Sequence, residues 1–212
     1  MLIAIVDCGI GNLYSVKQAV SHAVRGNPQI VITDDAAIIR DADKVVFPGQ
    51  GAAKDCMAGL IQKGLVEPLK TAATEKPFLG ICLGLQVLFN YSEENDGTDC
   101  LGLIQGQVRH LSTAITEKNG YKIPHMGWNS VKQTVQHPLW DRIADNEYFY
   151  FVHSYYTDPD NEQGRAGCAH YGTTFSCAVT SGYIFAVQFH PEKSADCGLR
   201  LLQNFGNWNG AV

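Results

Sequence analysis

The first ninety residues alternate short, continuously apolar runs with stretches of helical periodicity, and no other feature of the chain restricts its fold so tightly. Leu2–Val6 is apolar throughout and stops at Asp7–Asn12, a turn with two glycines, after which Val16–Val24 repeats apolar residues at helical spacing. Ile30–Ile32 and Val45–Phe47 read as further strands, the latter ending at Pro48-Gly49-Gln50-Gly51. Helices are expected over Ala53–Ile61 and Val66–Ala73, a strand over Phe78–Ile81 and a helix over Leu83–Phe89. Strands that alternate with helices in this way build a parallel sheet covered on both faces.

Beyond residue 100 the pattern turns to β segments, at Gln107–Leu111, Val131–Val135, Tyr148–Val152, Ala166–His170, Ser176–Thr180 and Phe185–Phe189. Several of these are expected to pair antiparallel, and Ala195–Phe205 to close the chain as a helix. The predicted fold class is thus α/β: a mostly parallel central sheet, flanking helices and additional antiparallel strands. At 212 residues the chain suits a single domain spanning 1–212. The polar stretch Ser92–Gly102 is expected to be a surface loop, of a length that is often functional.

Composition excludes some functions. A net charge of -5 leaves no basic stripe to neutralise phosphates, which argues against nucleic acid as a partner. The apolar start Met1–Val6 is too short for a secretory signal, and no run reaches the length of a membrane span. Seven cysteines with no C-x-x-C pair suit neither a disulfide framework nor a zinc site. A cytoplasmic protein without metal or cofactor is the expectation.

Among those cysteines Cys82 stands apart. Gly80-Ile81-Cys82-Leu83-Gly84 lies where an apolar run meets a helical pattern, the setting of a strand-to-helix nucleophile turn. Residues two before and two after such a nucleophile approach closely, so glycine at 80 and 84 removes a clash. A helix N-terminus at this point favours thiolate over thiol. The plain alternative is a buried, inert thiol between two packing glycines.

At the far end, Gln188-Phe189-His190-Pro191-Glu192 closes the last expected strand. Residues two apart in an extended segment share a side, so His190 and Glu192 face together as base and orienting carboxylate. Pro191 keeps His190 out of the helical region. Cys82, His190 and Glu192 then compose a catalytic triad. The developing oxyanion needs donors: the amide of Leu83 supplies one by position, and the glycines of Pro48-Gly49-Gln50-Gly51 would let a second, expected at Gly51, come close, although taken alone this stretch reads as a plain turn.

With these motifs in view, the chain resembles the class I, triad-type glutamine amidotransferases, with their flavodoxin-like fold. The likeness rests on Asp7-Cys8-Gly9-Ile10-Gly11-Asn12-Leu13, Phe47-Pro48-Gly49, Leu79–Gln86 and Gln188–Glu192, which occur in the family's order. Pro124-His125-Met126-Gly127-Trp128-Asn129 and Tyr150-Phe151-Val152-His153-Ser154-Tyr155 are similar to segments of the glutaminase subunits of imidazole glycerol phosphate synthase. The resemblance implies hydrolysis of L-glutamine, with Gln86 and Glu94 holding the substrate together with backbone groups at Gly51, Ser154 and Tyr155. It also implies a heterodimer with a (β/α)8-barrel cyclase subunit that receives ammonia through a channel and forms imidazole glycerol phosphate and AICAR, in histidine biosynthesis and purine salvage. Pro124, His125, Met126, Trp128 and Lys193 would lie toward that partner and the ammonia passage.

One position departs from the family pattern: Gln50 stands where a small apolar residue is common, which bears on the packing of the oxyanion turn. Two other readings stay open on sequence alone. One is a glutaminase serving GMP, anthranilate or carbamoyl phosphate synthesis, and the other a non-catalytic regulatory subunit of the same fold.

Overall fold

The computed structural model describes residues 1–115, 120–162 and 164–211. Its centre is a run of five parallel strands in the order β2 (Gln29–Thr33), β1 (Leu2–Val6), β3 (Lys44–Gly49), β4 (Phe78–Cys82) and β13 (Ile184–Val187). Every residue of β3, β4 and β13 is buried, as a sheet covered on both faces requires.

Side-chain alternation along these strands feeds two separate cores. Ile3, Ile5, Val46, Leu79 and Ile81 pack with Val16 and Val20 of α1 (Leu13–Ala23) and Leu201, Leu202 and Phe205 of α6 (Ala195–Asn207). Val6, Val45, Phe47 and Phe78 pack on the other face with α2 (Ala36–Asp41), α3 (Ala53–Gln62) and α4 (Val66–Glu75). Burying such side chains is worth roughly 1.5–3 kcal/mol each. A one-residue slip in any central strand would exchange the two sets, so the register is well fixed.

From β13 the sheet continues antiparallel through β12 (Thr174–Ser181), β10 (Tyr155–Pro159) and β7 (Ile104–His110); β5 (Phe89–Ser92) then pairs parallel with β7, and β6 (Thr98–Asp99) antiparallel with β5. A branch leaves β12 through β11 (Arg165–His170) to the long antiparallel pair β8 (His125–Gln133) and β9 (Glu147–His153). That pair folds back over the C-terminal edge of the parallel strands, where His190 N–H donates to Tyr150 O at 2.9 Å.

Several expectations need correction. The expected helix over Leu83–Phe89 stops after α5 (Leu83–Gln86), because Phe89 begins β5 and pairs with Ile104 of β7. Leu85, Val87, Leu88 and Phe89 are all fully buried, and so continuous an apolar run suits a strand as well as a helix. The strand expected at Val131–Val135 starts at His125 and ends at Gln133. The Ser92–Gly102 loop contains a 3-10 turn at Glu94–Asp96 and the short strand β6, paired with β5. Helix α2 and strand β10 were not anticipated. No helix among the described residues is long and apolar enough to cross a membrane.

Candidate active site

Cys82 sits where a central strand has to turn sharply into α5. Its backbone takes φ 56° and ψ -108°, a left-handed conformation that costs a non-glycine residue roughly 1–3 kcal/mol and is characteristic of functional turns. The flanking glycines make this turn feasible, though for two different reasons. A Cβ on Gly80 would lie 2.8 Å from the Gly84 carbonyl oxygen, as the close approach of the two requires. A Cβ on Gly84 would instead lie 1.8 Å from Phe47 O, so that glycine admits strand β3. With α5 only four residues long, little helix dipole is available to Cys82, and its activation has to come from nearer groups.

Strand β13 runs parallel to β4 with Ala186 opposite Gly80 and Val187 opposite Ile81, so the chain just beyond it reaches the same edge as Cys82. His190 lies there, extended, and Pro191–Lys193 form a 3-10 turn. The turn, rather than strand alternation, brings Glu192 back to the imidazole, which corrects the extended geometry expected from sequence. It is secured by Lys193 N–H donating to His190 O at 3.0 Å and Ser194 Oγ–H to the same oxygen at 2.6 Å.

His190 Nδ1 and Glu192 Oε1 are 2.8 Å apart, with both side chains 2% exposed. The carboxylate fixes the proton on Nδ1 and leaves Nε2 as the working nitrogen. Among the described residues the buried Nε2 has no hydrogen-bond partner of good geometry and only the Cys82 sulfur beside it, an arrangement that suits a group reserved for a reactant. Burial pulls the ring's pKa down, but the adjacent Cys82 sulfur and the Glu192 carboxylate outweigh it and raise it to about 10. The imidazole is thereby kept protonated beside the Cys82 sulfur.

Both groups face a cavity of about 460 Å³. Gly49 lies opposite Cys82 across β3 and β4, which brings Gln50 and Gly51 to the cavity rim, and Leu83 forms its floor beside the nucleophile. Gly51 has φ 98°, a glycine conformation. Gln86, Glu94, Ser154 and Tyr155 line the remaining wall, with Pro124 and Lys193 at its other end. The expected site residues thus converge, apart from Glu192, which stands behind His190, and three members of the Pro124–Trp128 group. His125 is buried, while Met126 and Trp128 project outward, 62% and 52% exposed.

A directed chain of hydrogen bonds crosses this wall. His153 Nδ1 lies 2.8 Å from Tyr155 O, an acceptor, so the proton is on Nδ1 and Nε2 accepts from His125 Nδ1, also at 2.8 Å. Asn129 Nδ2 reaches His125 Nε2 at 3.5 Å and donates to His170 O at 2.9 Å. Burial holds His125 at a pKa of about 4; burial and the neighbouring His125 ring hold His153 at about 3. Tyr155 O accepts a second bond, from Gln86 Nε2 at 3.1 Å.

Sequence reasoning passed over Val152, His153 and Gln188 as site residues. Val152 and His153 line the cavity, and Gln188 Nε2 lies 3.6 Å from Cys82 Sγ. The segments Tyr150–Tyr155 and Gln188–Glu192 were both singled out as motifs, but without the backbone path nothing distinguishes a residue that faces the sulfur from one that fills the core.

Known proteins resemble this chain in sequence and in fold. The pattern of the family "Glutamine amidotransferase class-I" matches residues 4–207. The imidazole glycerol phosphate synthase subunit HisH of Thiobacillus denitrificans is 53% identical over 210 residues, covering 98% of this chain and 91% of that protein. The HisH subunit of Hydrogenovibrio crunogenus is 50% identical over 209 residues, covering 99% and 97%. Among solved structures, one described as a glutamine amidotransferase superposes with a TM-score of 0.71 at 14% identity, covering 97% of this chain and 99% of that one. The glutaminase domain of the Trypanosoma brucei protein CTPS, solved with bound acivicin, gives 0.67 at 17% identity, covering 100% and 96%. At those identities the structures speak for the fold alone, whereas the two HisH relatives speak for descent. The chain belongs to the class-I glutamine amidotransferase family, among the HisH subunits of imidazole glycerol phosphate synthase.

Proposed function

We propose that this chain hydrolyses L-glutamine with Cys82, His190 and Glu192 and passes the ammonia to a (β/α)8-barrel cyclase subunit, which forms imidazole glycerol phosphate and AICAR. The observation that carries the chemistry is the left-handed turn that presents Cys82 beside an imidazole held at 2.8 Å by a buried carboxylate. Relatives named as subunits of that synthase support the assignment of a partner subunit.

In this reading Cys82 Sγ adds to the carboxamide carbon of glutamine, and the displaced carbonyl electrons move to the oxygen. Donors for that oxyanion are the amide of Leu83 and one from the turn ending at Gly51. When the intermediate collapses, the C–N bond breaks and the proton on His190 Nε2 goes to the nitrogen, so ammonia leaves and a thioester remains. Water then attacks the thioester carbon while Nε2 takes its proton. The second collapse returns the electron pair to sulfur and releases glutamate. Glu192 stays hydrogen-bonded to Nδ1 throughout and stabilises the imidazolium. Glu94 faces the substrate's ammonium group, and Gln86 with the backbone at Ser154 and Tyr155 holds the rest.

The test is Cys82→Ala. Glutamine-dependent synthesis by the complex is expected to disappear while added ammonium chloride still supports the cyclase. Glutamate release by the variant at the wild-type rate would remove Cys82 from the mechanism.

A further inference from the structure

The amide of Gln188 is fully buried and has no role in the mechanism above. Its orientation can be deduced from its neighbours. Tyr155 O is a backbone carbonyl and only accepts, so the Gln86 group 3.1 Å away has to be Nε2. The same nitrogen lies 3.0 Å from Gln188, which must therefore present its oxygen, Oε1. The other end of the Gln188 amide is then Nε2, and it points at Cys82 Sγ from 3.6 Å, an ordinary N–H to sulfur distance. Reversing Gln86 would set its oxygen against two acceptors, Tyr155 O and Gln188 Oε1, and reversing Gln188 would set two amide nitrogens, both donors, against each other in a buried site.

Val152 O lies 4.0 Å from the same sulfur, which serves a thiol but offers nothing to an anion. Gln188 does the reverse. With α5 too short to contribute much, it is the one neutral side-chain donor aimed at the sulfur among the described residues.

We propose that Gln188 is a catalytic hydrogen-bond donor to the Cys82 thiolate, its amide locked in the donating orientation by Gln86 and Tyr155 O. The bond stabilises the anion before glutamine arrives, and after attack it is available again when sulfur leaves the thioester. The proposal rests on Cys82 being the nucleophile. It also narrows the role of Gln86: both its amide hydrogens are used within the protein, so only Oε1 is free to meet substrate.

The experiment is the pH dependence of iodoacetamide alkylation at Cys82, read peptide by peptide by mass spectrometry on the complex with its cyclase partner. It is run on wild type, Gln188→Met and Gln188→Glu. A hydrogen bond to a charged group is worth about 1.5–3 kcal/mol, so Gln188→Met should move the midpoint of the alkylation profile up by about one pH unit or more. Gln188→Glu keeps the size and the acceptor for Gln86 but removes the donor, and should move it further. The plateau rate at high pH should not fall in either, since a thiolate of higher pKa is no weaker a nucleophile. A midpoint equal to that of wild type in either folded variant overturns the proposal, because a residue that merely packs would alter thermal stability and not the profile. Should Gln188→Met fail to fold, Gln188→Glu alone decides. If Cys82 in wild type shows no reactivity above that of the other cysteines, the glutaminase reading itself fails, which separates the two conclusions.

Discussion

Glu94 Oε2 accepts the backbone N–H of Ala53 at 2.7 Å, across 41 residues of sequence. Helix α3 begins there, and its own N-cap residue, Ala52, has no side chain able to cap it. A carboxylate from the acidic loop thus satisfies the first free amide of the helix that follows the Gly49–Gly51 turn. Because Glu94 also lines the cavity, the group proposed to meet the substrate's ammonium is the group that anchors the end of the oxyanion turn.

Replacement of Glu94 should therefore have two effects. Loss of a capping acceptor costs about 1 kcal/mol, so Glu94→Ala is expected to lower the midpoint of thermal unfolding and to raise KM for glutamine. Glu94→Gln keeps an acceptor and should recover the stability while leaving KM high. Differential scanning calorimetry and steady-state kinetics distinguish the effects. An unchanged melting midpoint in Glu94→Ala would show that the cap is energetically idle.

The two glycines around Cys82 make a sharper structural prediction. A methyl at position 84 meets a backbone oxygen of β3, which cannot swing aside as a side chain tip would. Gly84→Ala should destabilise the fold by about 1–3 kcal/mol, the usual cost of overpacking a dense core, and should abolish glutaminase activity by displacing the turn. Urea unfolding followed by far-UV circular dichroism measures the first effect. Wild-type stability in the variant would mean that β3 and α5 are not in such close contact.

Those glycines also show what was legible in the sequence. The strand-helix alternation, the turn at Cys82 and the pairing of His190 with Glu192 all follow from local patterns, because each depends on neighbours in the chain. Where contacts come from far away, local reading fails. Phe89 leaves the expected helix because β7 is there to pair with it, and β10 exists because its residues Tyr155–Pro159 find partners on β7. Glu192 was assigned to the correct partner by an argument from strand alternation, but the chain uses a 3-10 turn stabilised by Ser194. Helix α2 did carry a local signal, Asp35, whose Oδ1 accepts from Ala37 N–H at 2.8 Å, but at six residues it offers too little periodicity to detect.

The buried histidine pair makes stability depend on pH. In the unfolded chain both rings protonate near 6.5, whereas in the fold His125 does so only near 4 and His153 near 3. Between those values the unfolded state binds more protons, so this contribution is fully present above pH 6.5 and is lost as pH falls toward 4 and below. His190 acts in the opposite sense: raised to about 10, its contribution is complete below 6.5 and fades as pH climbs through 10. Thermal midpoints taken from pH 7.5 down to 4.5 should fall, and should fall less steeply in His125→Asn, which removes one of the two buried rings. Parallel slopes for the two proteins would mean that the pair does not govern acid sensitivity.

The outward face of the β8–β9 pair supplies the last prediction. Met126 and Trp128 alternate along β8 on the exposed side, opposite Val152 and Tyr150 of β9, and Tyr148 continues the row at 56% exposed. Lys193 Nζ lies 5.9 Å from the centre of the Tyr150 ring, so the apolar row adjoins a residue of the cavity wall. A large aromatic side chain exposed beside a site that releases ammonia is well placed to anchor the cyclase, and such anchors commonly account for about 2 kcal/mol or more of binding. Trp128→Ala should therefore weaken assembly with the cyclase by about 30-fold or more without lowering the melting midpoint, since the residue contributes little to either core. Isothermal titration of the purified subunits reads the affinity directly. Unaltered binding in the variant would place the partner on another face and leave the exposure of Trp128 without this explanation.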